Sequence, residues 1–550
     1  MLRVLAPLAI ALLIALAYWP GLDGFWTRDD FMQLAFARLV GSPWPIFVHD
    51  HYFPVPGSVF RPLGFASFWL SQAMFGTDYF AHACGDLVLH VAVALALYRV
   101  IRFAAIDRMS AMLCTLLFAL HPAVLGTALW WSARFDLLAM LFALVAVRAA
   151  LDYAARPRAA VLAVALLAAL AALLSKETAL AGVAAVGLVW LRSAWTNREH
   201  RDRTLGALAM LVAVVVGFFV WRTAVLGTAT TGIAGDASLV AAFGRGIGGW
   251  LAHLADYLTF WSRSGIATHV ALLAGIACGV GAIWVRLRRR EGANAFSSAG
   301  IDLMLCGLCL FVLPAILQAP IAAMNATPLR GDVSAVEAAM QSRLYYFSIG
   351  GLAIVLAAAS ARVRSDARIF RVLSTMALAV PVVAFGWLSR ESAAAFAART
   401  AASRPLAESI ATAVDRAATA GGARCRIVVL GVAPPPEWSL FVSADSIAKA
   451  LSANPDRIGR CFVEADYPTY FNLMRSDATP ADAEPYVPHA VDGRAIDWLR
   501  LGDLKVAYLD PPATVESGTL DGIVFLRYID GALVDVTDDV IAGRIPVSLR

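Results

Sequence analysis

The stretch AAVLAVALLAALAALLSKETALAGVAAVGLVWLRSAWTNREHRDR, residues 159–203, decides the fold. It holds two apolar runs, 159–174 and 178–193, each about the length a helix needs to cross a ~30 Å hydrocarbon core. Only the tight turn Ser175-Lys176-Glu177 separates them. Arg156 and Arg158 precede the first run, and Arg192, Arg198, Arg201 and Arg203 follow the second. Paired spans with arginines at their open ends and a short turn at the other read as a membrane hairpin whose basic side is cytoplasmic.

The same reading extends in both directions. Of the 550 residues 60% are hydrophobic and only 15% charged, with mean hydropathy +0.70, whereas soluble domains carry about 25% charged residues. Spans are expected at 3–20, 83–103, 109–128, 135–153, 159–174, 178–193, 204–222, 266–286, 298–318, 344–361 and 370–389. Every second connection is basic: Arg99, Arg102 and Arg108; Arg148, Arg156 and Arg158; the cluster 192–203; Arg286 to Arg290; Arg362 to Arg371. The N-terminus is therefore expected in the cytoplasm, and an odd span count leaves the C-terminus outside. The formal charge of +5 is then a topology signal, and no nucleic-acid partner is implied. The first run lacks a small-x-small cleavage site before Trp19-Pro20 and reads as a retained span.

Two regions are not spans. The outer loop 21–82 carries Asp29-Asp30, His49-Asp50-His51 and Arg61-Pro62-Leu63. Phe31, Leu34, Ala35 and Leu39 have helical spacing, which predicts an amphipathic helix lying on the membrane, with a second helix at 63–75. The segment 237–261 is apolar but interrupted by Gly244, Gly246, Gly248 and Gly249, and reads as interfacial or re-entrant. From about 390 the sequence turns polar. Strands are expected at 426–430, 505–509 and 521–528 and a helix at 439–451, giving a water-exposed α/β domain over 391–550. No repeat is visible in it. Five of the seven cysteines lie in apolar runs, whereas Cys425 and Cys461 lie in the tail, where an oxidising compartment predicts a disulfide, with two free thiols as the alternative.

Charges at the outer ends of the spans mark the candidate chemistry. Asp29 and Asp30, adjacent on a helix, point about 100° apart, so one carboxylate can act as general base while the other orients; the bland alternative is an N-cap. Trp130-Trp131-Ser132-Ala133-Arg134-Phe135-Asp136 offers Arg134 to a phosphate through two parallel bonds, or to Asp136. Lys176 is the sole lysine of the membrane half. At the start of a span the helix dipole makes a cation favourable only near an anion, which is either Glu177 or a phosphate. Arg343-Leu344-Tyr345-Tyr346 reads equally as a snorkelling arginine with interfacial tyrosines. His121-Pro122 is a helix stop on its bland reading. His49-Asp50-His51 lacks a recognised metal spacing, so a bound divalent ion is the lesser reading and no cofactor is assigned.

Taken in order, Phe25-Trp26-Thr27-Arg28-Asp29-Asp30, Phe60-Arg61-Pro62-Leu63, His82 through Asp86 to His90, Leu120-His121-Pro122 with Trp131 to Asp136, Ser175-Lys176-Glu177 and Arg343-Leu344-Tyr345-Tyr346 resemble the GT-C superfamily of membrane glycosyltransferases. The similarity is greatest to its protein O-mannosyltransferase branch, including the transmembrane O-mannosyltransferases that carry tetratricopeptide repeats. It covers about residues 1–390. Two departures stand out: Gly126 occupies a position where the family usually has an acid, and the tail lacks the repeats. The resemblance implies an α-helical polytopic membrane protein of GT-C type, with about eleven transmembrane helices and a C-terminal extracytoplasmic α/β domain. It implies a mannosyltransferase-like enzyme that moves a sugar from a polyprenyl-phosphate-linked donor to an acceptor hydroxyl on a glycan, lipid or protein, with inversion. Asp29 or Asp30 would be the base and Arg134, Lys176 and Arg343 the phosphate ligands, supported by Arg61, His121, Asp136, Glu177 and Tyr345. A bacterial inner membrane with a periplasmic tail is expected. The reading from another class is a transporter or flippase of a lipid-linked saccharide, although charges gathered at one rim without internal symmetry disfavour it.

Overall fold

The computed structural model describes residues 2–48, 59–227, 247–248, 266–288, 297–324, 342–362, 368–420, 425–430, 444–454, 461–465, 523–529 and 532–545. In chain order its helices are α1 (Leu2–Tyr18), α2 (Asp29–Leu39), α3 (Pro62–Phe75), α4 (Tyr79–Ile101), α5 (Arg108–Ala119), α6 (Leu125–Leu129), α7 (Arg134–Ala155), α8 (Ala159–Ser175), α9 (Leu180–Thr196) and α10 (Arg201–Leu226). There follow α11 (Ile266–Arg288), α12 (Ser298–Met324), α13 (Tyr346–Arg362), α14 (Arg368–Ala401) and α15 (Arg404–Ala420). Then come β1 (Cys425–Leu430), α16 (Ala444–Leu451), β2 (Cys461–Ala465), β3 (Ile523–Ile529), β4 (Ala532–Asp535) and α17 (Thr537–Ile541). The chain divides into two compact units: 1–23, 83–221 and 234–397 form the first, and 24–82, 222–233 and 398–550 the second.

The first unit is a bundle of apolar helices. Among the described residues nine helices are long and apolar enough to cross a membrane. Their outward side chains are themselves apolar, Val216 and Val220 on α10 and Ile276 and Val280 on α11 being more than half exposed. A surface of that kind suits lipid and not water. The chain is thus a multi-pass membrane protein. The eleven expected runs are all helical, but two depart from a plain span. Helix α8 has 17 residues, and the run 109–128 is broken between α5 and α6 with a 56° bend.

Pro122 explains the break, because its ring cannot continue the hydrogen bonding of α5. Breaking a helix inside the membrane orphans carbonyls that no water is present to satisfy. Three other helices supply donors instead. Tyr18 Oη of α1 and His90 Nε2 of α4 each lie 3.0 Å from the Ala119 carbonyl, and Ser389 Oγ of α14 donates to Leu120 O at 2.9 Å. Since His90 Nε2 donates, its Nδ1 accepts, and it takes the Tyr346 hydroxyl at 2.9 Å.

Glycines set the closest crossing. A Cβ on Gly307 of α12 would lie 2.9 Å from the Gly351 carbonyl oxygen of α13, and one on Gly351 would lie 2.6 Å from the Gly307 carbonyl oxygen. Only glycine permits that approach. Helix α7 packs against both α8 and α9, so the turn joining α8 to α9 is carried to the N-terminal end of α7.

In the second unit a four-stranded sheet has the order β2-β1-β3-β4, with β1 parallel to both neighbours and β3 antiparallel to β4. The expected strands at 426–430 and 521–528 and the helix at 439–451 correspond to β1, β3 and α16. The expected strand at 505–509 and the segment 237–261 lie outside the described residues, apart from a helical pair at 247–248. Helix α2 corrects one expectation. It packs against α3 and α16, and residues 30–37 are buried, so it is an internal helix of this unit and does not present one face to a membrane surface. Arg38, at its end, donates to the carbonyls of Lys449, Ala450 and Ser452. A guanidinium there satisfies the orphan carbonyls at the end of α16 and complements its dipole.

Candidate functional site

In the first unit α7 carries two buried ion pairs, one with the residue that ends α8 and one with α4. Asp136 lies in the first turn of α7, where a carboxylate suits the helix dipole. Lys176 closes α8 as its C-cap, its amide donating to Ala172 O at 3.1 Å. That placement revises the dipole argument, because a cation is favoured at the carbonyl end of α8. The Lys176 ammonium donates to both Asp136 oxygens at 2.7 Å, and the two side chains are 9% and 1% exposed.

Two residues earlier, at the start of α7, Arg134 Nε donates to Asp86 Oδ1 of α4 at 2.6 Å, the side chains being 4% and 1% exposed. The Arg134 guanidinium also lies 5.3 Å from the centre of the Trp131 ring. Both carboxylate partners come from other helices, whereas the sequence reading had looked to near neighbours, Asp136 for Arg134 and Glu177 for Lys176. Three buried polar atoms here have no partner among the described residues: Asp86 Oδ2, Thr127 Oγ1 of α6 and Thr178 Oγ1, two residues past Lys176.

Arg343 differs from the other two cations. Its guanidinium stacks 4.3 Å from the centre of the Trp130 ring, the residue before the tryptophan that Arg134 covers. A ring face attracts a cation without neutralising it. The turn 343–345 lies against α6 and the turn 122–124, and Tyr345 within it is buried. His121 Nδ1 accepts the Ala123 amide at 3.1 Å, capping the turn after the break, and its ring meets Phe385 edge-on. Glu177 opens the turn that follows Lys176 and is half-buried.

Asp29, Asp30 and Arg61 belong to the second unit. The segment before α2 is held tightly. Phe25 N donates to Thr400 Oγ1 at 3.1 Å, and Arg404 donates to Gly24 O at 3.2 Å while stacking on Phe25. Trp26 is fully buried, edge-on to Tyr79 and His82. His82 is itself pinned, Nε2 donating to Gly76 O at 2.9 Å and Nδ1 accepting from Ser71 at 2.6 Å. Arg28 adopts φ 50° and ψ −122°, a conformation that costs a non-glycine residue about 1–3 kcal/mol and concentrates at functional sites. Asp30 is 1% exposed and accepts the Thr27 amide at 3.0 Å, so it orients the loop. Asp29 is half-buried. Arg61 precedes Pro62, the first residue of α3.

Among the described residues no group of three or more His, Cys, Asp and Glu side chains could hold a metal ion. His49-Asp50-His51 lies outside them, as do the side chains of Cys425 and Cys461. The backbone register nevertheless sets Cys425 opposite Cys461. Asp86, His90 and Tyr346 are buried polar groups of this unit that are not among the site residues expected from sequence. An aspartate and a histidine inside an apolar span were the signal that could have found them.

No protein-family model and no curated protein matches the sequence. Among solved structures the chain is similar to the oligosaccharyltransferase of Archaeoglobus fulgidus, with 11% identity and a TM-score of 0.43 over 82% of this chain and 65% of that one. It is similar to ArnT from Cupriavidus metallidurans bound to undecaprenyl phosphate, with 15% identity and a TM-score of 0.38 over 84% and 89%. It is also similar to the arabinosyltransferase EmbB from Mycobacterium smegmatis, with 16% identity and a TM-score of 0.35 over 64% and 30%. The chain therefore spans less than two thirds of the length of the archaeal protein, and at these scores the likeness carries no inference about activity.

Proposed function

We propose that the chain is a membrane glycosyltransferase of GT-C type that transfers a sugar from a polyprenyl-phosphate-linked donor to an acceptor hydroxyl, with inversion. The observation that carries this reading is the cation set of the first unit. Arg134 and Lys176 are buried and each fixed by a carboxylate from another helix, and Arg343 is held on a tryptophan face. Preorganised cations aimed at a developing negative charge suit a departing lipid phosphate. A phosphate on a lipid reaches such groups laterally through the bilayer, so no nucleotide-binding loop is needed.

In this reaction the acceptor oxygen attacks the anomeric carbon, and the bond from that carbon to the phosphate oxygen breaks. The electron pair leaves with the polyprenyl phosphate, and the hydroxyl proton passes to a carboxylate. Asp29 takes the proton, because it is half-buried and open to an acceptor, whereas Asp30 is 1% exposed and orients the loop through the Thr27 amide. Arg343 grips the phosphate through its fork of N–H donors, while Arg134 and Lys176 stabilise the charge that grows on it. The donor site faces the periplasm of a bacterial inner membrane in this reading, with the N-terminus cytoplasmic. A mannosyl donor is the first to try.

The test is transfer by purified full-length protein from a panel of polyprenyl-phosphate-linked hexoses to added glycan, lipid or peptide acceptors, with Asp29→Asn and Asp30→Asn alongside. General-base loss costs ~10²–10⁴-fold, so that drop is expected for Asp29→Asn. A smaller fall is expected for Asp30→Asn. An Asp29→Asn protein with native turnover refutes the assignment of the base. Donor movement across a bilayer with no new glycosidic bond is the outcome a transporter would give.

A further inference from the structure

We propose that the first unit carries, at the end away from the Lys176 turn, a binding site for an anionic glycerophospholipid, with the headgroup phosphate among Arg99, Arg102, Arg108 and Arg148 and an acyl chain in the adjoining groove. This inference does not depend on the proposed transferase activity. The headgroup cavity, about 490 Å³, is lined by Tyr98 and those four arginines. They come from the end of α4 and the turn after it, the start of α5, and α7. A second cavity of about 360 Å³ shares Arg99 and Arg148 and is otherwise walled mainly by apolar side chains, among them Leu144, Val145, Val161 and Val164 of α7 and α8.

The charges in this place are poorly compensated. Arg148 is satisfied: it pairs with Asp152 at 2.8 Å, donates to the Arg99 carbonyl at 3.3 Å and stacks on Phe103. Among the described residues the side chains of Arg99, Arg102 and Arg108 have no hydrogen bond or ion pair. The one other acid close in sequence, Asp107, spends a carboxylate oxygen on the Ser110 amide as the cap of α5. Converging guanidinium groups with one paired carboxylate call for an anion, and a phosphate accepts their parallel N–H bonds. Topology alone asks for arginines on one side of the membrane; it does not ask for four around one cavity that continues into an apolar groove. That continuity argues for a phosphate attached to an acyl chain, and basic pockets between spans bind anionic lipid headgroups.

The experiment uses full-length protein in mild detergent, with retained lipid measured by native mass spectrometry after adding dioleoyl phosphatidylglycerol or dioleoyl phosphatidylcholine. The wild type should retain phosphatidylglycerol in preference. Arg102→Gln with Arg108→Gln should weaken it about thirtyfold, since each basic residue near the headgroup contributes about 1 kcal/mol and 1.4 kcal/mol is a factor of ten. Arg198→Gln with Arg201→Gln removes the same charge from another basic loop and should leave retention unchanged. Val161→Trp fills the groove, keeps every arginine and should lower retention several-fold, which covers the case in which the arginine variant does not fold. Equal loss in both arginine pairs, equal retention of the two lipids, or native retention by Val161→Trp overturns the proposal. So does undecaprenyl phosphate displacing phosphatidylglycerol at equal concentration with the same sensitivity to the variants, which would name a different occupant.

Discussion

Lys176 and Asp136 provide the sharpest test, because the same ion pair is asked to be both a structural element and an electrostatic tool. At 2.7 Å between ammonium and carboxylate, the gross attraction at an effective dielectric of ~20 is about 6 kcal/mol. Desolvation of two groups this deeply buried offsets much of it, so the pair as a whole contributes little net stability. Removing one partner is different, since it leaves the other charge buried alone. Lys176→Met and Asp136→Leu should each lower stability by about 3–5 kcal/mol, while the double variant should recover most of that loss. Thermal unfolding in detergent, read as a double-mutant cycle, gives the coupling. Sugar transfer should not recover with stability. The double variant folds but lacks the cation that the proposed mechanism sets against the departing phosphate, and loss of one such group costs about 10²–10³ in turnover. Transfer by the double variant within tenfold of the wild type would reduce Lys176 to a structural role, and a coupling below about 0.5 kcal/mol would mean that the pair does not form.

Arg343→Gln should raise the donor KM by at least tenfold with an unchanged melting temperature, because its guanidinium rests on a ring face; an unchanged KM counts against it as a phosphate ligand. Gly351→Val should lower stability by about 3 kcal/mol by forcing α12 from α13, and a native melting curve would contradict the close crossing. Arg404→Gln, which releases the Gly24 carbonyl, should lower kcat with little change in donor KM, since it disturbs the Asp29 segment alone; a change confined to KM would refute that. Non-reducing peptide mapping should find Cys425 joined to Cys461, whose register partners sit about 4.8 Å apart, within disulfide reach. Alkylation of both thiols without reductant would refute it.

The spans were legible because lipid imposes one rule along a whole segment, and each of the eleven runs obeys it. The break at Pro122 was legible as a helix stop, but the donors that make it tolerable were not. Tyr18, His90 and Ser389 are separated by up to 371 positions from one another and from the carbonyls they satisfy, and no local pattern links them. The same applies to the ion pairs. Arg134 and Lys176 could be named as cations out of place, yet the partners, Asp86 and Asp136, are chosen by which helices pack together. The pattern Phe31, Leu34, Ala35 and Leu39 gave α2 its helix, but periodicity does not reveal that α16 covers a face which then reads as membrane-seeking. Strands β2 and β4 are five and four residues long, too short for alternation to be visible.

Charge accounting explains why three cations are deployed in two different ways. Arg134 with Asp86 and Lys176 with Asp136 are each neutral as pairs, so they can be buried without a ligand at a tolerable cost. Two neutral pairs alone would attract a phosphate weakly. Arg343 alters that balance: among the described residues it has no hydrogen bond or ion pair, and the Trp130 face holds it in place without cancelling its charge. Of the three cations Arg343 alone thus lacks a paired carboxylate among the described residues, which in the proposed reaction suits the singly charged phosphodiester of an intact donor. In the proposed transfer, a second negative charge develops on the phosphate when the bond to the sugar breaks. Arg134 and Lys176 can meet it by sharing donors that their carboxylates already orient, with no reorganisation of water in a site this buried. On this division Arg343 governs donor capture and the two ion pairs govern the chemical step. Arg343→Gln should therefore act on KM, and the Lys176 and Asp136 variants on kcat.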